Sequence, residues 1–319
     1  MSYRIGVMLI TIAVIWGAGA CANTLTQDDP ATQGFSDHSG MSWWQAAVLG
    51  IVEGATEYLP VSSTGHLLVA QRAIGIDSDD PREKEAANAY VICIQAGAIV
   101  AVMGLYRRRM RQILVGLAGR DPAGMRLAAC LMAGLLPAAI IGLLISGWIK
   151  ERLFGPLPII AAWAVGGVVI LLVAYSNCGR EVDGRRGRTL EELTWKMAVV
   201  IGIAQCIAMW PGVSRSLVTI VGGTLVGLSL VAAVEFSFLL GLATLGAATA
   251  YDAYIHGSAM AEIYSPKTLA VGFLFAFLVA VLAIKWMVRY LGSHGLQIFG
   301  YYRIGIAIVV GVLLIIGII

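Results

Sequence analysis

The stretch EGATEYLPVSSTGH, residues 53–66, places two glutamates, a proline, three hydroxyl side chains and a histidine within a long apolar part of the chain. Proline cannot continue a helix, because it lacks a backbone N–H and its ring clashes with the preceding turn. The serines and the threonine that follow Pro60 are residues that favour helix starts. The stretch therefore predicts a helix that breaks at Leu59–Pro60 and a second helix that begins within residues 62–64.

The rest of the chain has the composition of a membrane protein. Of its 319 residues, 59% are hydrophobic and 13% are charged, and the mean hydropathy is +0.83. Several apolar blocks reach the ~18–20 residues that a helix needs to cross a bilayer. The net charge of +3 is small, and the basic residues cluster between apolar blocks, so they indicate topology and no nucleic-acid partner. The blocks are approximately 42–58, 62–75, 88–105, 124–148, 157–177, 192–210, 214–228, 230–251, 267–288 and 298–318.

Residues 1–40 form a separate segment. A basic residue, an apolar run, small residues and a polar linker follow one another, which is the layout of a signal peptide. An uncleaved anchor helix is the alternative, and Cys21 weakly resembles a lipoprotein cleavage site. We assign 1–40 to a signal peptide or anchor with a polar linker, and 41–319 to the membrane domain.

The broken stretch occurs twice. GIVEGATEYLPVSST (50–64) and GIAQCIAMWPGVSRS (202–216) match at a constant offset, and each carries a proline followed by serines. Each also begins a broken hairpin that precedes three long apolar blocks. We interpret the match as an internal duplication, with repeat one at 42–177 and repeat two at 191–319.

The number of spans predicts that the two repeats are inverted. Three spans per repeat is an odd number, so the second hairpin enters from the opposite face. With re-entrant hairpins and an external mature N-terminus, the basic clusters at 106–111, 178–188 and Lys285 with Arg289 all lie in the cytoplasm, as the positive-inside rule requires. The predicted fold class is an all-α polytopic membrane protein with an inverted repeat, two re-entrant helix hairpins and six transmembrane helices.

Glu53 and Glu57 are spaced i, i+4, so both carboxylates project from one helix face. Two neighbouring carboxylates suit Mg²⁺ or Ca²⁺, and one of them can alternatively act as a base while the other stays charged. A solvated or hydrogen-bonded pair at a helix end is the non-functional alternative. Ionisable groups within a membrane are functional candidates by default, so we predict a metal or acid–base site here.

The start of the second helix predicts an anion site. Free backbone N–H groups and the positive end of the helix dipole face the break, and the hydroxyls of Ser62, Ser63 and Thr64 lie beside them. His66, about one turn inside the helix, can act as acid, base or phosphate donor, although a lone histidine often has a structural role.

The second hairpin adds the stretch PGVSRS. Ser214 and Ser216 repeat the hydroxyl arrangement, and Arg215 supplies a permanently charged planar fork that suits phosphate. Snorkelling to the interface, or pairing with a carboxylate, is the alternative role for this arginine. Together the two hairpins hold the groups needed to hydrolyse a phosphate ester or anhydride.

EGATEYLPVSSTGH and PGVSRS resemble the two signature stretches of the undecaprenyl-diphosphate phosphatases, the bacitracin-resistance family of integral membrane phosphatases. The resemblance extends from about Ser42 to the C-terminus and includes EFSFLL at 235–240. The second stretch departs from the family at Leu217, where glycine is usual, although Thr219 fits. A family glycine at that position suggests close backbone approach or an unusual φ/ψ.

The resemblance implies dephosphorylation of C55 polyprenyl diphosphate to the monophosphate, on the periplasmic side of the bacterial inner membrane, with a divalent cation (Mg²⁺ or Ca²⁺). It assigns Glu53 and Glu57 to the family's acidic pair, Ser62 to Thr64 with His66 to its first phosphate loop, and Ser214 to Ser216 to its second. The predicted catalytic set is Glu53, Glu57, Ser63, His66 and Arg215.

Several alternatives stay open at this stage. An inverted repeat with broken helices is also the layout of secondary transporters, so a polyprenyl-phosphate flippase or an anion transporter is the rival function. The nucleophile is either Ser63 or a metal-activated water, and a homodimer in the bilayer is an open assembly state. Glu235 is left outside the catalytic set, because an intramembrane glutamate can simply pair with a neighbour.

Overall fold

The computed structural model describes residues 41–76, 81–176 and 187–317, so the predicted signal peptide or anchor lies outside the described residues. Within those ranges the chain forms eleven α-helices and two short 3₁₀ turns, Leu190–Glu192 and Cys206–Met209. The helices are α1 Trp43–Thr56, α2 Ser63–Ala73, α3 Pro81–Leu105, α4 Arg107–Leu117, α5 Pro122–Leu153, α6 Pro156–Tyr175, α7 Trp195–Gln205, α8 Arg215–Leu225, α9 Leu230–Ile263, α10 Pro266–Leu291 and α11 Gln297–Ile315.

Among the described helices, five are long and apolar enough to cross a membrane, and they lie within α5, α6, α9, α10 and α11. A sixth candidate is the end of α3 taken together with α4, which is bent from it by 80°. The prediction of a multi-pass, all-α membrane protein is therefore confirmed. The basic cluster at 106–111 was expected only as a topology signal between apolar blocks, and it is mostly helical, because its Arg and Met residues favour helix formation.

In the first hairpin, the start of α1 lies beside the end of α2. The helices have 14 and 11 residues, or about 21 and 17 Å at 1.5 Å per residue, and a bilayer core is about 30 Å thick. The Gln45 side-chain amide donates to the Ile74 carbonyl at 2.9 Å, which joins the start of α1 to the end of α2. A side chain at Gly50 would overlap the backbone of α10, so the glycine lets these helices pack closely.

The second hairpin, α7 and α8, is closed at its own end by backbone pairing. Arg188 N donates to the Gly227 carbonyl at 2.8 Å, and Ser229 N donates to the Arg188 carbonyl at 2.9 Å. A side chain at Gly202 would overlap the backbone of Gly134 on α5, just as one at Gly50 would overlap α10. Gly50 and Gly202, which match in the sequence, therefore have the same packing role.

The largest hydrophobic cluster surrounds both breaks and includes Tyr58, Val61, Leu217 and Phe238. Leu217 is only 2% exposed, and its side chain fills this core. Leu217 itself lies within α8, and among the described non-glycine residues positive φ occurs at Ser62 and Ser214.

Candidate active site

The first break follows directly from the sequence around Pro60. α1 ends at Thr56, and Glu57 caps it with its backbone N–H on the Glu53 carbonyl at 3.0 Å. The two glutamates therefore lie on successive turns of one helix face. Beyond the proline the chain turns tightly, and Ser62 has φ 74° and ψ 108° before α2 begins at Ser63.

The second break repeats this path. α7 ends at Gln205, the 3₁₀ turn follows, and Gly212 has φ 93°. Ser214 then has φ 76° and ψ 115° before α8 begins at Arg215. Ser62 and Ser214 are 152 positions apart (214 − 62), and the same offset places Ser63 on Arg215.

The Glu57 carboxylate is where the two breaks meet. It is 8% exposed; its Oε2 accepts from Ser63 Oγ at 2.5 Å, and its Oε1 accepts from Arg215 Nη2 at 3.1 Å. The first residues of α2 and α8 thus bind opposite oxygens of one carboxylate. A hydroxyl in contact with a carboxylate base is the arrangement of an activated nucleophile.

Arg215 pairs with a carboxylate, which is the alternative weighed from the sequence, and its phosphate-binding role stays a prediction. Its Nη1 donates to the Ser237 carbonyl at 3.4 Å, and its guanidinium lies 5.5 Å from the centroid of the Tyr58 ring. Its Nε is buried without a hydrogen-bond partner. One donor of this side chain is therefore free for an anionic oxygen.

Glu53 is 1% exposed, and neither carboxylate oxygen has a hydrogen-bond partner. An unpaired buried carboxylate is costly unless it meets a cation or a donor. Its two orphaned oxygens, one helical turn from Glu57, fit a divalent cation, which prefers oxygen ligands. Metal binding by Glu53 and Glu57 stays a prediction that this geometry suits.

His66 and Glu57 contact different groups. The Nδ1 of His66 is 2.6 Å from the Ser62 carbonyl, and its Nε2 is 2.7 Å from the Tyr302 hydroxyl. Because a carbonyl oxygen only accepts, Nδ1 carries a proton and donates. The ring also packs beside Trp163, with centroids 5.1 Å apart, so His66 supports the backbone at Ser62, while its catalytic role stays a prediction.

The predicted phosphate-binding hydroxyls have different environments. Ser214 Oγ accepts from Leu217 N at 3.3 Å, and Ser216 Oγ donates to the Leu59 carbonyl at 2.8 Å, which links the two breaks. Ser62 occupies the cap position of α2 without a side-chain cap hydrogen bond. Thr64 is exposed.

Arg303 was not among the residues predicted from the sequence. This arginine of α11 is 0% exposed, and it donates to carbonyls at both breaks. Its signal was present in the sequence, since an arginine inside the apolar block 298–318 is an intramembrane ionisable residue. Trp163 was missed as well; its Nε1 donates to the Val61 carbonyl at 3.0 Å.

Glu235 lies outside this cluster, as expected. Its carboxylate pairs with Arg109 Nε at 2.8 Å, and Arg109 Nη2 also pairs with Glu191 at 2.8 Å. The prediction that Glu235 simply pairs with a neighbour is confirmed.

The fold and the site define a multi-pass helical membrane protein with a buried polar centre at the junction of two broken helices. Residues 46–309 match the family model described as bacitracin resistance protein BacA, and the chain belongs to this family. The chain is 44% identical over 271 residues to an undecaprenyl-diphosphatase of Sorangium cellulosum, covering 85% of this chain and 86% of the relative. It is 42% identical over 266 residues to undecaprenyl-diphosphatase 2 of Rhodospirillum rubrum, covering 83% and 93% of the two chains.

Proposed function

We propose that the protein hydrolyses undecaprenyl diphosphate to undecaprenyl phosphate and inorganic phosphate, recycles the carrier lipid of cell-wall synthesis and gives bacitracin resistance. The observation that carries this proposal is the Glu57 carboxylate, which accepts from Ser63 Oγ at 2.5 Å and from Arg215 Nη2 at 3.1 Å. A base, a nucleophile and a permanently charged group therefore meet at one point. The names of the relatives support the choice of substrate.

In the proposed reaction, Ser63 Oγ attacks the terminal phosphorus atom while Glu57 accepts the hydroxyl proton. The bond from that phosphorus to the bridging oxygen breaks, and undecaprenyl phosphate leaves with the electron pair. Water then attacks the phosphorus atom of the phosphoserine, the bond from that phosphorus to Ser63 Oγ breaks, Oγ takes back the proton that Glu57 accepted, and inorganic phosphate departs.

Phosphate binding falls to groups at the starts of α2 and α8. Arg215 Nε is buried without a partner, so it can donate to a phosphate oxygen while Nη2 stays on Glu57. The backbone N–H groups of both first turns add donors that face an anion. The hydroxyls proposed to join them are those of Ser62, Thr64, Ser214 and Ser216.

Glu53 and Glu57 are the residues that would hold a divalent cation, Mg²⁺ or Ca²⁺. When bound, such a cation supplies positive charge that neutralises the diphosphate. The orphaned oxygens of Glu53 support this assignment. On this basis we expect chelation by EDTA to abolish phosphate release, and full activity in EDTA would remove the metal from the reaction.

We further propose an inverted repeat in the bacterial inner membrane, with the site open to the periplasm. Gln45 with Ile74 closes the first hairpin, and Arg188 with Gly227 closes the second; along the chain, the 25-residue helix α3 separates the first closure from α4. The contact of Arg109 with Glu191 joins the basic helix α4 to the end where the second hairpin closes. The basic clusters at 106–111 and 178–188 then both lie on the cytoplasmic side.

Cysteine labelling tests this topology in a background that lacks reactive native cysteines. Arg108 and Lys267 are both exposed basic residues and make a matched pair. Arg108→Cys should resist an impermeant thiol reagent added to intact cells, and Lys267→Cys should react. External labelling of Arg108→Cys would overturn the proposed orientation.

A measurement of phosphate release distinguishes the proposed phosphatase activity from the rival function, a flippase or anion transporter. Purified protein in detergent, given undecaprenyl diphosphate, should release inorganic phosphate and form a phosphoenzyme that Ser63→Ala lacks. A transporter releases none under these conditions. A folded preparation without phosphate release would contradict the proposed activity, and release that survives in Ser63→Ala would point to direct attack by water.

A further inference from the structure

Arg303 is a buried cation bonded to backbone carbonyls. Its Nη1 donates to the Pro60 carbonyl at 3.3 Å, and its Nη2 donates to the carbonyls of Ala162 and Gly212, each at 2.8 Å. Among the described residues, no carboxylate lies within ion-pair distance of it. The arginine therefore acts on the path of the backbone, and its bonds extend to three separate segments.

Two of these three carbonyls are equivalent positions of the duplicated breaks. Pro60 and Gly212 differ by 152 positions (212 − 60), the offset that also relates Ser63 to Arg215. Each carbonyl lies three residues before the first residue of the new helix. One guanidinium thus ties together the two points from which Ser63 and Arg215 are directed to Glu57.

The chemistry of the site requires a constant spacing between the breaks. Ser63 and Arg215 belong to different helices, yet both bind the same carboxylate. Helix breaks leave carbonyls without helical donors, and a hydrogen bond from a charged donor is stronger than one from a neutral donor. The rigid fork of arginine reaches several acceptors at fixed angles, whereas a lysine ammonium acts as a point charge on a flexible stem.

We propose that Arg303 is a positioning residue that sets the spacing of the two breaks, so that Ser63 and Arg215 bind Glu57 together. This inference rests on the proposed function, because its effect is on phosphate transfer. Arg303 touches neither Glu57 nor Ser63 by a hydrogen bond among the described residues, and it acts through the backbone at Pro60 and Gly212.

α6 provides a second way to disturb this arginine without removing it. A methyl group added at Gly166 would overlap Arg303 Nη2 and lie 2.8 Å from its Cζ. The glycine therefore makes room for the guanidinium. Gly166→Ala should displace the fork while keeping the charge, and it should have the same kind of effect as Arg303→Lys.

The test compares Arg303→Lys and Gly166→Ala with Arg109→Lys in purified protein. Arg109 is the matched control, because it is also a multiply bonded arginine but pairs with Glu235 and Glu191 away from the breaks. We expect kcat to fall about tenfold or more in the first two variants, the scale of a small misplacement of reacting groups, and to stay near the parent value in Arg109→Lys. Size-exclusion profiles and thermal midpoints establish that each variant is folded.

A double-mutant cycle separates positioning from general stability. In an Arg215→Lys background, Arg303→Lys should cost a several-fold smaller factor in kcat than in the parent, since coupled residues are non-additive. The proposal would be overturned if Arg303→Lys lowered kcat by the same factor in the parent and in the Arg215→Lys background. It would also be overturned if folded Arg303→Lys kept the kcat of the parent. If Arg303→Lys cannot be purified in a folded state, Gly166→Ala takes its place in the double-mutant cycle with Arg215→Lys, and the same outcomes apply. A parent protein that releases no phosphate would instead refute the proposed function.

Discussion

The two chain breaks share one backbone and carry different side chains. Ser62 and Ser214 have φ of 74° and 76° and ψ of 108° and 115°, and Arg303 bonds the carbonyl two residues before each of them. A positive φ is strained for any residue with a side chain. The two breaks therefore follow the same local backbone path.

The side chains at the two breaks supply different chemical groups to the site. The first break holds the carboxylates and the hydroxyl that contacts one of them, and the second holds the cation. The opposite charges of the two breaks meet at the Glu57–Arg215 pair. The positions that correspond, first break against second, are Glu53 with Gln205, Glu57 with Met209, Ser63 with Arg215, and His66 with Val218.

The largest expected effect comes from neutralising the acid of the first break. Glu57→Gln removes the base beside Ser63 and the ion pair with Arg215, so phosphate release should fall by ~10²-fold or more. Met209→Gln places the same side chain at the corresponding position of the second break and should leave the activity largely unchanged. Similar losses of phosphate release in Glu57→Gln and Met209→Gln would contradict the different roles of the two breaks.

The next effect tests the cation of the second break. Arg215→Lys keeps the charge but loses the fork that holds Glu57 and offers Nε to phosphate, so kcat/KM should fall by more than about tenfold. The kcat/KM of Arg215→Ala should fall further, because the charge is lost as well. If Arg215→Ala hydrolyses the lipid diphosphate as fast as the parent, the second break is not part of the site.

A smaller effect on stability sharpens the comparison of the two serines. Ser62→Gly relieves the positive φ and loses no side-chain cap, so the free energy of unfolding should rise by about 1 kcal/mol. In Ser214→Gly the same relief is offset by the loss of the hydrogen bond to Leu217 N. The free energy of unfolding should therefore rise by a few tenths of a kcal/mol less than in Ser62→Gly. Thermal unfolding in detergent measures both, and Ser62→Ala is the control, because alanine does not relieve the strain.

The smallest effect lies at the far end of the second hairpin. The hydrogen bond from Arg109 holds the pKa of Glu191 below its ordinary value, so this pair stabilises the fold at neutral pH. The contribution is lost as the pH falls from the ordinary glutamate pKa of about 4.3 through the lowered pKa of the folded protein. Because the pair is partly exposed, Glu191→Gln should lower the stability at pH 7 by at most about 1 kcal/mol, and a larger shift in thermal midpoint would contradict a surface role.

The breaks themselves were predictable, because proline and the following serines act locally on the backbone. The pairing of Glu235 was foreseen as an alternative, and the carboxylate contact of Arg215 was weighed as one. The helical state of α4 was missed, since a run of arginines was interpreted as topology alone. The partners of His66 were missed too: Tyr302 lies 236 positions away along the chain, beyond the reach of any local pattern.

The apolar blocks and the two breaks could be predicted from composition, proline and residue spacing, since these features act over a few turns of helix. Which side chains meet could not be predicted in this way, because it depends on the tertiary structure. Glu57 and Arg215 are 158 positions apart, and Arg303 is 243 positions from Pro60. Such contacts depend on how whole helices pack, because burial brings a charged or polar group to whichever partner the neighbouring helix places beside it.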